Sequence, residues 1–158
     1  MIKTENIYLR AFELDDYKRL NELRNDDDIF EFTCGNKYYI STEWDKKWIE
    51  DKIFNTDKYF YLAICLKEND MLLGYTNLND IDLRNRKALW EGIVIDKEFK
   101  SKGYATEVGR IMLDYVFNEL GLNRLYSTII EENVASQRFT EKLGFSVEGL
   151  FKSSIFKK

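Results

Sequence analysis

Apolar positions in this chain follow two spacings, and the change from one to the other marks the predicted elements. Continuous or alternating apolar and aromatic runs predict strands, and apolar residues three or four positions apart predict helices. The predicted strands are residues 6–12, 58–67, 71–79, 87–96, 124–131 and 145–151. The predicted helices are 14–24, 42–55 with Thr42 as N-cap, 103–120 and 133–143, with 25–41 irregular and 80–85 a polar loop. This order predicts one mixed α/β (α+β) domain over residues 1–158, a sheet covered by helices.

Composition narrows the chemistry that this domain can perform. No apolar run approaches the roughly 20 residues that cross a bilayer, and the N-terminus lacks a signal-peptide pattern, so we expect a cytoplasmic protein without a membrane partner. Cys34 and Cys65 are too few for a disulfide framework or a metal site. The formal charge of −4 argues against nucleic acid as a partner and is compatible with a cationic substrate. The chain has no histidine. A general base must therefore be a carboxylate, a water, or an unusual lysine, cysteine or tyrosine.

Residues 93–107 contain an apolar strand, a short basic loop, a glycine and a helix start in succession. The first amide groups of a helix lack intrahelical acceptors and lie at the positive end of its dipole, so the segment predicts an anion site suited to phosphates. Gly103 permits close approach of the backbone, and Lys100 and Lys102 add positive charge. A plain strand–loop–helix connection explains this segment alone equally well.

Residues 133–145 predict a capped amphipathic helix. Asn133 is a good N-cap, and Ala135, Phe139 and Leu143 form an apolar stripe that ends at a glycine. By itself this pattern indicates only a structural helix.

Together, the two segments resemble the GNAT acetyltransferases, and the resemblance covers nearly the whole chain. The run Lys100-Ser101-Lys102-Gly103-Tyr104-Ala105 is similar to that family's cofactor motif, with lysine where glutamine or arginine is usual. Residues 133–145 are similar to its Asn–x–x–Ser…Glu-Lys-x-Gly-Phe helix, and residues 8–16 resemble the branch that acetylates ribosomal protein N-termini, polyamines and some antibiotics. The resemblance implies a central, mostly antiparallel sheet with flanking helices. It also implies acetyl-CoA as co-substrate and a small-molecule or peptide amine as acceptor.

The family's cofactor contacts carry over to particular positions. The resemblance implies that the loop and helix start bind the CoA pyrophosphate, that the preceding strand pairs with the pantetheine arm, and that the capped helix adds polar contacts. The implied cofactor-binding residues are Ile93, Val94, Ile95, Lys100, Ser101, Lys102, Gly103, Tyr104, Ala105, Thr106, Asn133 and Ser136.

The general base is predicted to be Glu91, a carboxylate on the strand beside the cofactor. The related branch often has its glutamate one or two positions earlier, where this chain has Leu89 or Trp90. A shift of one residue turns a side chain to the other face of a sheet, and a bulge near Gly92 is one way to restore the face. A solvated strand carboxylate is the alternative.

The chain departs from the family pattern at two places. Thr140 stands where many members have the tyrosine that protonates the leaving thiolate, and threonine can only donate a hydrogen bond. Tyr126 or Tyr104 is a candidate substitute, although packing explains either. The sequence also ends without the further strand that usually closes the sheet, so we expect pairing from a partner chain, as in a homodimer, or from a longer chain.

The sequence defines the acceptor site less well than the cofactor site. Aromatic and acidic side chains between residues 26 and 44 suit a cation, although an aromatic core with a solvated acidic loop explains them as well. They are Phe30, Phe32, Tyr38, Tyr39, Trp44, Asp26, Asp27, Asp28 and Glu31. Two other functions remain open: an acyl-CoA-binding module with little or no turnover, and an unrelated phosphate or nucleotide binder that uses the 100–105 loop.

Overall fold

The computed structural model describes residues 2–31, 39–57 and 59–154. Its strands are β1 (Ile2–Lys3), β2 (Ile7–Ala11), β3 (Phe60–Leu66), β4 (Leu72–Asp82), β5 (Lys87–Ile95) and β6 (Arg124–Tyr126). Its helices are α1 (Tyr17–Arg24), α2 (Asp27–Glu31), α3 (Thr42–Phe54), α4 (Tyr104–Asp114) and α5 (Val134–Lys142). Short 3₁₀ turns at Leu14–Asp16 and Lys97–Phe99 precede α1 and α4, and a π turn at Tyr115–Glu119 follows α4.

The strands form a single sheet in chain order, β1 to β6, within the described residues. Neighbouring strands are antiparallel from β1 to β5, and only β5 and β6 are parallel. This arrangement confirms the mixed, mostly antiparallel sheet that the sequence predicted. The parallel pair requires a crossover, which α4 provides.

Strand alternation divides the core into two layers. On one side, Leu62, Ile64 and Leu66 of β3 join a cluster that packs against α4 and α5, and we call this side the α4 face. On the other side, Ala63 and Cys65 join a cluster with residues of α1 and α3, and we call it the α1 face. Because successive strand residues point to opposite faces, each strand supplies both layers.

A bulge in β5 changes this alternation near its middle. Thr76 of β4 pairs with Ile93, and Leu78 pairs with Trp90, so two residues of β5, Glu91 and Gly92, lie opposite one residue of β4. Gly92 has a φ of +94°, a conformation that glycine adopts without strain. The bulge predicted near Gly92 is therefore present, and it changes the direction of β5 and of its side chains at the end of the strand nearest the basic loop.

Two buried hydrogen bonds hold the bulge in place. The Trp90 indole Nε1–H donates to the Thr76 hydroxyl over 2.9 Å, and that hydroxyl donates to the Gly92 carbonyl over 2.8 Å. Trp90 and Thr76 are fully buried. Since a buried polar group that loses its partner is costly, this chain of bonds favours the bulged strand over a regular one.

Several element boundaries differ from the sequence predictions. Ser41, and not Thr42, is the N-cap of α3, because its extended backbone lets its hydroxyl accept from the Trp44 amide over 3.2 Å. β4 continues through Asp82, which shortens the predicted polar loop, and the region predicted to be irregular contains the short α2. The helix predicted for 103–120 changes to a π turn at Tyr115. The residues at positions 32–38 and 58, on which parts of the predictions fall, lie outside the described residues.

The C-terminal strands were predicted too long. β6 ends at Tyr126, and residues 145–151 form no strand. Val147, Leu150 and Phe151 are mostly exposed there, while Glu148 pairs with Arg124 of β6. Within the described segments these residues have no neighbouring strand with which to pair, and an extended backbone without a partner does not form a ladder. Pairing by a partner chain or by further chain stays a prediction.

Candidate active site

The basic loop between β5 and α4 presents a row of amide groups without protein acceptors. Gly103 caps α4 with a φ of +87°, and Ser101 also has a positive φ of 62°. These two left-handed residues turn the backbone, so the amides from 101 to 105 donate to no acceptor in the described residues, while the Thr106 and Glu107 amides bond to the Gly103 carbonyl. Successive free amides at a helix start form a concave anion site.

Positive charge surrounds this row of amides. Lys100 and Lys102 are exposed, and neither forms an ion pair within the described residues. The one carboxylate in the first turn of α4, Glu107, is engaged elsewhere: the Thr4 hydroxyl donates to it, and Asn6 Nδ2 donates over 2.7 Å. Burial alone would raise the pKa of Glu107, but these hydrogen bonds outweigh it and lower the pKa. The loop therefore offers a cationic surface to an anionic group.

A gap opens in the sheet beside this loop. β5 pairs with β6 only at residues 87–89, whereas β5 itself continues to Ile95. On its β6 side, the backbone from Trp90 to Ile95 therefore has no strand neighbour among the residues that the structure describes. This free edge, which includes the predicted residues Ile93, Val94 and Ile95, leads directly to the free amides. An extended chain can pair with such an edge as an added strand.

Glu91 lies at the bulge and faces the α1 side of the sheet. Its carboxylate is exposed and accepts a hydrogen bond of 2.6 Å from Asn77 Nδ2, whose side chain is buried. Burial raises the pKa of Tyr75 to about 12, an effect that the Arg24 charge opposes and the Glu91 charge reinforces. Burial likewise raises the pKa of Tyr61, again with a contribution from Glu91. Both phenols are thus neutral near pH 7, and the Glu91 carboxylate lies near them.

Several aromatic rings on the α1 face already hold cations of the protein itself. Trp48 and Tyr61 pack edge to face with centroids 5.4 Å apart. The Arg24 guanidinium lies 4.2 Å from the Trp48 centroid, and Lys52 Nζ lies 3.3 Å from that of Tyr59. Arg24 also pairs with the fully buried Asp45 over 2.6 Å. Since these ring faces are occupied, the exposed Glu91 carboxylate, which forms no ion pair within the described residues, is the better candidate to contact a cationic ligand.

Those acceptor-site residues predicted between positions 26 and 44 that the structure describes lie in different surroundings. Tyr39 and Trp44 are largely exposed, and Phe32 and Tyr38 lie outside the described residues. Asp26 and Asp28 pair with Lys97 at 3.2 and 3.1 Å, so they link α2 to the turn before α4. Burial works against the ionised form of Asp26, but the bonds from Lys97 and two backbone amides lower its pKa.

The remaining predicted residues lie on α5 and β6. Asn133 caps α5 by accepting from the Ser136 amide over 3.0 Å, and Ser136 is half-buried. The Thr140 hydroxyl is buried and lies 3.0 and 2.9 Å from the carbonyl oxygens of Ser136 and Gln137, in its own helix. Tyr126, half-buried on β6, has the Arg124 guanidinium 5.7 Å from its ring.

Three residues that support Glu91 were not found from the sequence. Asn77 donates to its carboxylate, and Thr76 and Trp90 hold the bulge beside it. These residues lie on two strands whose register depends on the bulge. The strand glycine Gly92 was the one available signal, because an isolated glycine in a strand often marks a bulge.

Two kinds of feature are absent from the described residues. No helix there is long and apolar enough to cross a membrane. No group of three or more cysteine, aspartate or glutamate side chains there is arranged to hold a metal ion.

Comparison with known proteins places this architecture in a family. Residues 6–146 match the model of the acetyltransferase (GNAT) domain. The chain is 29% identical to the probable N-acetyltransferase YjcK of Bacillus subtilis, over 98% of this chain and 88% of the relative. It is 26% identical to the spermidine N(1)-acetyltransferase of Escherichia coli K12, over 99% of this chain and 81% of that protein.

A solved structure gives the same result. The spermidine N-acetyltransferase of Vibrio cholerae, crystallised with CoA and spermine, superposes with a TM-score of 0.86 and 26% identity. The match covers 96% of this chain and 88% of that one. The family match, the named relatives and this superposition agree, and the chain belongs to the GNAT family of N-acetyltransferases.

Proposed function

We propose that this domain transfers the acetyl group of acetyl-CoA to a primary amine, with residues 100–106 holding the CoA pyrophosphate and Glu91 receiving the proton of the amine. The observation that carries the proposal is the row of five amides, from 101 to 105, that donate to no protein acceptor in the described residues. A pyrophosphate supplies oxygen acceptors for such a row, and Lys100 and Lys102 balance its charge.

The free edge of β5 supports the position of the rest of the cofactor. It runs from the bulge to the loop, so an extended pantetheine arm paired with Ile93, Val94 and Ile95 would direct its thioester towards Glu91. The half-buried Asn133 and Ser136 at the start of α5 are the proposed further polar contacts. The Gly103 Cβ position is open, which leaves room for a phosphate close to the backbone.

The chemistry requires an amine without its extra proton. An alkylammonium has a pKa of about 10, so near pH 7 a base must receive that proton before nitrogen attacks the thioester carbon. Glu91 is the proposed base, directly or through a water, and the hydrogen bond from Asn77 orients its carboxylate. A C–N bond forms and the C–S bond breaks, which yields the N-acetylated amine and CoA.

The leaving thiolate does not require a strong general acid. A thiol has a pKa of roughly 8.5, so its thiolate leaves without a strong acid, and solvent can return the proton. The Thr140 hydroxyl can contribute a hydrogen bond only if it turns from the carbonyl oxygens of its own helix. Tyr126 is the other proposed proton donor.

The acceptor is proposed to be a cationic amine: a polyamine, an aminoglycoside or a protein N-terminus. Glu91 has no ion-pair partner within the described part of the chain, so its charge favours a cationic acceptor. Two relatives at 26% identity are named spermidine N-acetyltransferases, which supports polyamines as the first acceptors to test.

Thermal melting with acetyl-CoA, CoA or ATP tests the cofactor site. A ligand at 100 times its Kd stabilises the native state by about 2.7 kcal/mol, which raises the Tm by roughly 5–10 °C for a chain of this size. We expect that rise with acetyl-CoA and CoA and none with ATP. Equal rises with CoA and ATP would point to a general phosphate binder, and no rise with any would reject the site.

Release of free thiol from acetyl-CoA in the presence of each amine then tests turnover. We expect release that depends on the amine and is fastest with a polyamine. A rise in Tm without thiol release for any amine would favour the acyl-CoA-binding module instead.

The oligomeric state is proposed to be a homodimer or a larger assembly. One relative, a Vibrio cholerae spermidine N-acetyltransferase, has a dodecameric structure, at 25% identity and a TM-score of 0.75. Light scattering after size exclusion would report the mass, and a monomer at micromolar concentration would reject the proposal.

A further inference from the structure

One arginine of α1 reaches the point where the basic loop leaves the sheet. Arg19 Nη2 donates to Asp96 Oδ2, and Arg19 Nη1 pairs with Glu22 over 2.7 Å. Asp96 directly follows β5 and is nearly buried. A charged contact therefore runs from the α1 face to the first residue of the loop.

Asp96 determines how the chain turns out of β5. Its amide donates to the Leu73 carbonyl over 2.8 Å, which keeps its backbone in register with β4. Its carboxylate accepts from the Glu98 amide over 2.9 Å, and its carbonyl accepts from the Phe99 amide over 2.9 Å. These bonds form the 3₁₀ turn that carries the chain to residues 100–106, so the orientation of the Asp96 carboxylate sets the direction of the loop.

Charge and not packing holds Arg19 in this position. The arginine and its partners border a cleft of about 230 Å³, and the Arg19 side chain is 33% exposed. A shorter side chain at this position therefore creates no clash and no closed cavity. Because partly exposed ion pairs contribute little to folding stability, a change here can alter the loop while the fold remains.

α2 makes a second contact with the same turn. Lys97, the residue after Asp96, pairs with Asp26 and Asp28 at 3.2 and 3.1 Å. Both contacts connect the N-terminal helices to the residues directly before the free amides. The Arg19 contact is the less exposed of the two, because Lys97 is 53% exposed.

We propose that Arg19 is a positioning residue for cofactor binding. By pairing with Asp96, it fixes the direction in which the loop leaves β5, and therefore the direction in which the amides from 101 to 105 point. The inference rests on the proposed role of those amides in binding the CoA pyrophosphate. Arg19 itself touches neither cofactor nor acceptor. Its loss should therefore weaken acetyl-CoA binding and leave the chemical step nearly unchanged.

The test compares Arg19→Gln with Glu22→Gln, which removes the other ion-pair partner of Arg19 and keeps the Asp96 pair. For Arg19→Gln we expect the KM for acetyl-CoA and the Kd for CoA to rise about tenfold, which corresponds to roughly 1.4 kcal/mol, with kcat within about twofold of wild type. For Glu22→Gln we expect no change in either constant. The Tm without ligand should be similar in both variants.

A double-mutant cycle shows whether Arg19 acts through Asp96. In an Asp96→Asn background, Arg19→Gln should add less than about a twofold rise in KM, because the two changes remove the same interaction. A full tenfold addition in that background would overturn the inference, as would an unchanged KM in Arg19→Gln or an equal rise in Glu22→Gln. If wild-type protein fails to bind CoA, the proposed function is wrong; if wild type binds and Arg19→Gln binds equally well, only the role of Arg19 is wrong.

Discussion

The basic loop at residues 100–106 and the Glu91 region of the α1 face lie near opposite ends of the same stretch of β5, and they differ in which groups form them. The loop presents backbone amides, and its geometry depends on Gly103 and a helix start. The Glu91 region depends on side chains from two strands and two helices, among them Asn77, Tyr75 and Arg24. A backbone site is contained within one short segment, whereas a side-chain site requires several elements to be placed correctly.

This difference predicts which kind of substitution each site tolerates. Every residue type except proline carries a backbone amide donor, so Lys102 can change with little loss of hydrogen-bond donors. A carboxylate that acts as a base must stand within hydrogen-bond reach of its proton, so a shift of the bulge moves it out of range. We therefore expect substitutions at the loop to change binding and substitutions near Glu91 to change rate.

The largest expected effect is on the side-chain site. Glu91→Gln removes the proposed base and keeps the size of the side chain, so we expect kcat to fall by about 10²–10⁴. The Kd for CoA, measured by titration calorimetry, should stay unchanged. Glu50→Gln, at an exposed position on α3, is the matched control. A fall of less than about threefold in Glu91→Gln would show that another group receives the proton.

The next effect is on the backbone site. In Gly103→Ala the new Cβ meets no protein atom within 4 Å, but the φ of +87° becomes strained and the methyl group stands where a phosphate would approach. Loss of one charge-assisted amide bond is worth about 1.5–3 kcal/mol, so the KM for acetyl-CoA should rise roughly 10–100-fold.

Gly121→Ala separates the strain from the lost contact in that experiment. Gly121 also has a positive φ, of +62°, and open space at its Cβ position, but it lies beyond the π turn that follows α4. Gly121→Ala should lower the Tm about as much as Gly103→Ala does and leave the KM for acetyl-CoA unchanged. Equal KM values in the two alanine variants would mean that the loop does not hold the cofactor.

A smaller effect is expected from a change in the β5 bulge, which lies between the two regions. Thr76→Val leaves the buried Trp90 indole N–H without its acceptor and the Gly92 carbonyl without its donor. We expect a loss of about 1–3 kcal/mol in the free energy of unfolding, measured in urea. The fall in kcat should exceed any change in the Kd for CoA, because the bulge orients Glu91. An unchanged kcat in a folded variant would show that the bulge does not matter for the chemistry.

The smallest effect is expected at Thr140. Its hydroxyl already lies within hydrogen-bond distance of two carbonyl oxygens of α5, and Thr140→Val keeps its shape. Loss of a hydrogen bond of this kind lowers stability by about 0.5–1.5 kcal/mol, but because the bond lies within α5, kcat should change by less than about threefold. A tenfold fall at constant Tm would show instead that the hydroxyl turns to the leaving thiol. Tyr126→Phe, assayed in parallel, measures the other proposed donor.

Much of the cofactor region could be predicted from the sequence, because its determinants are local. The strand, the basic residues, Gly103 and the start of α4 follow one another within about a dozen positions, and the glycine, the helix start and the α5 cap lie where they were predicted. The errors were at boundaries where local and tertiary preferences differ. Ser41 competes with Thr42 as the cap of α3, and β6 is short since the strand predicted beside it does not form.

By itself, the sequence determined the approximate positions of the main strands and helices, the glycine and helix start that follow the basic loop, and the absence of imidazole chemistry. Only the tertiary structure decided that two residues of β5 lie opposite Asn77, that the aromatic rings of the α1 face hold Arg24 and Lys52, and that Arg19 pairs with Asp96. The reason is physical. Helix starts, glycine turns and alternation depend on neighbouring residues, whereas register, ion pairs and ring contacts depend on groups far apart in sequence that meet only when the sheet is assembled.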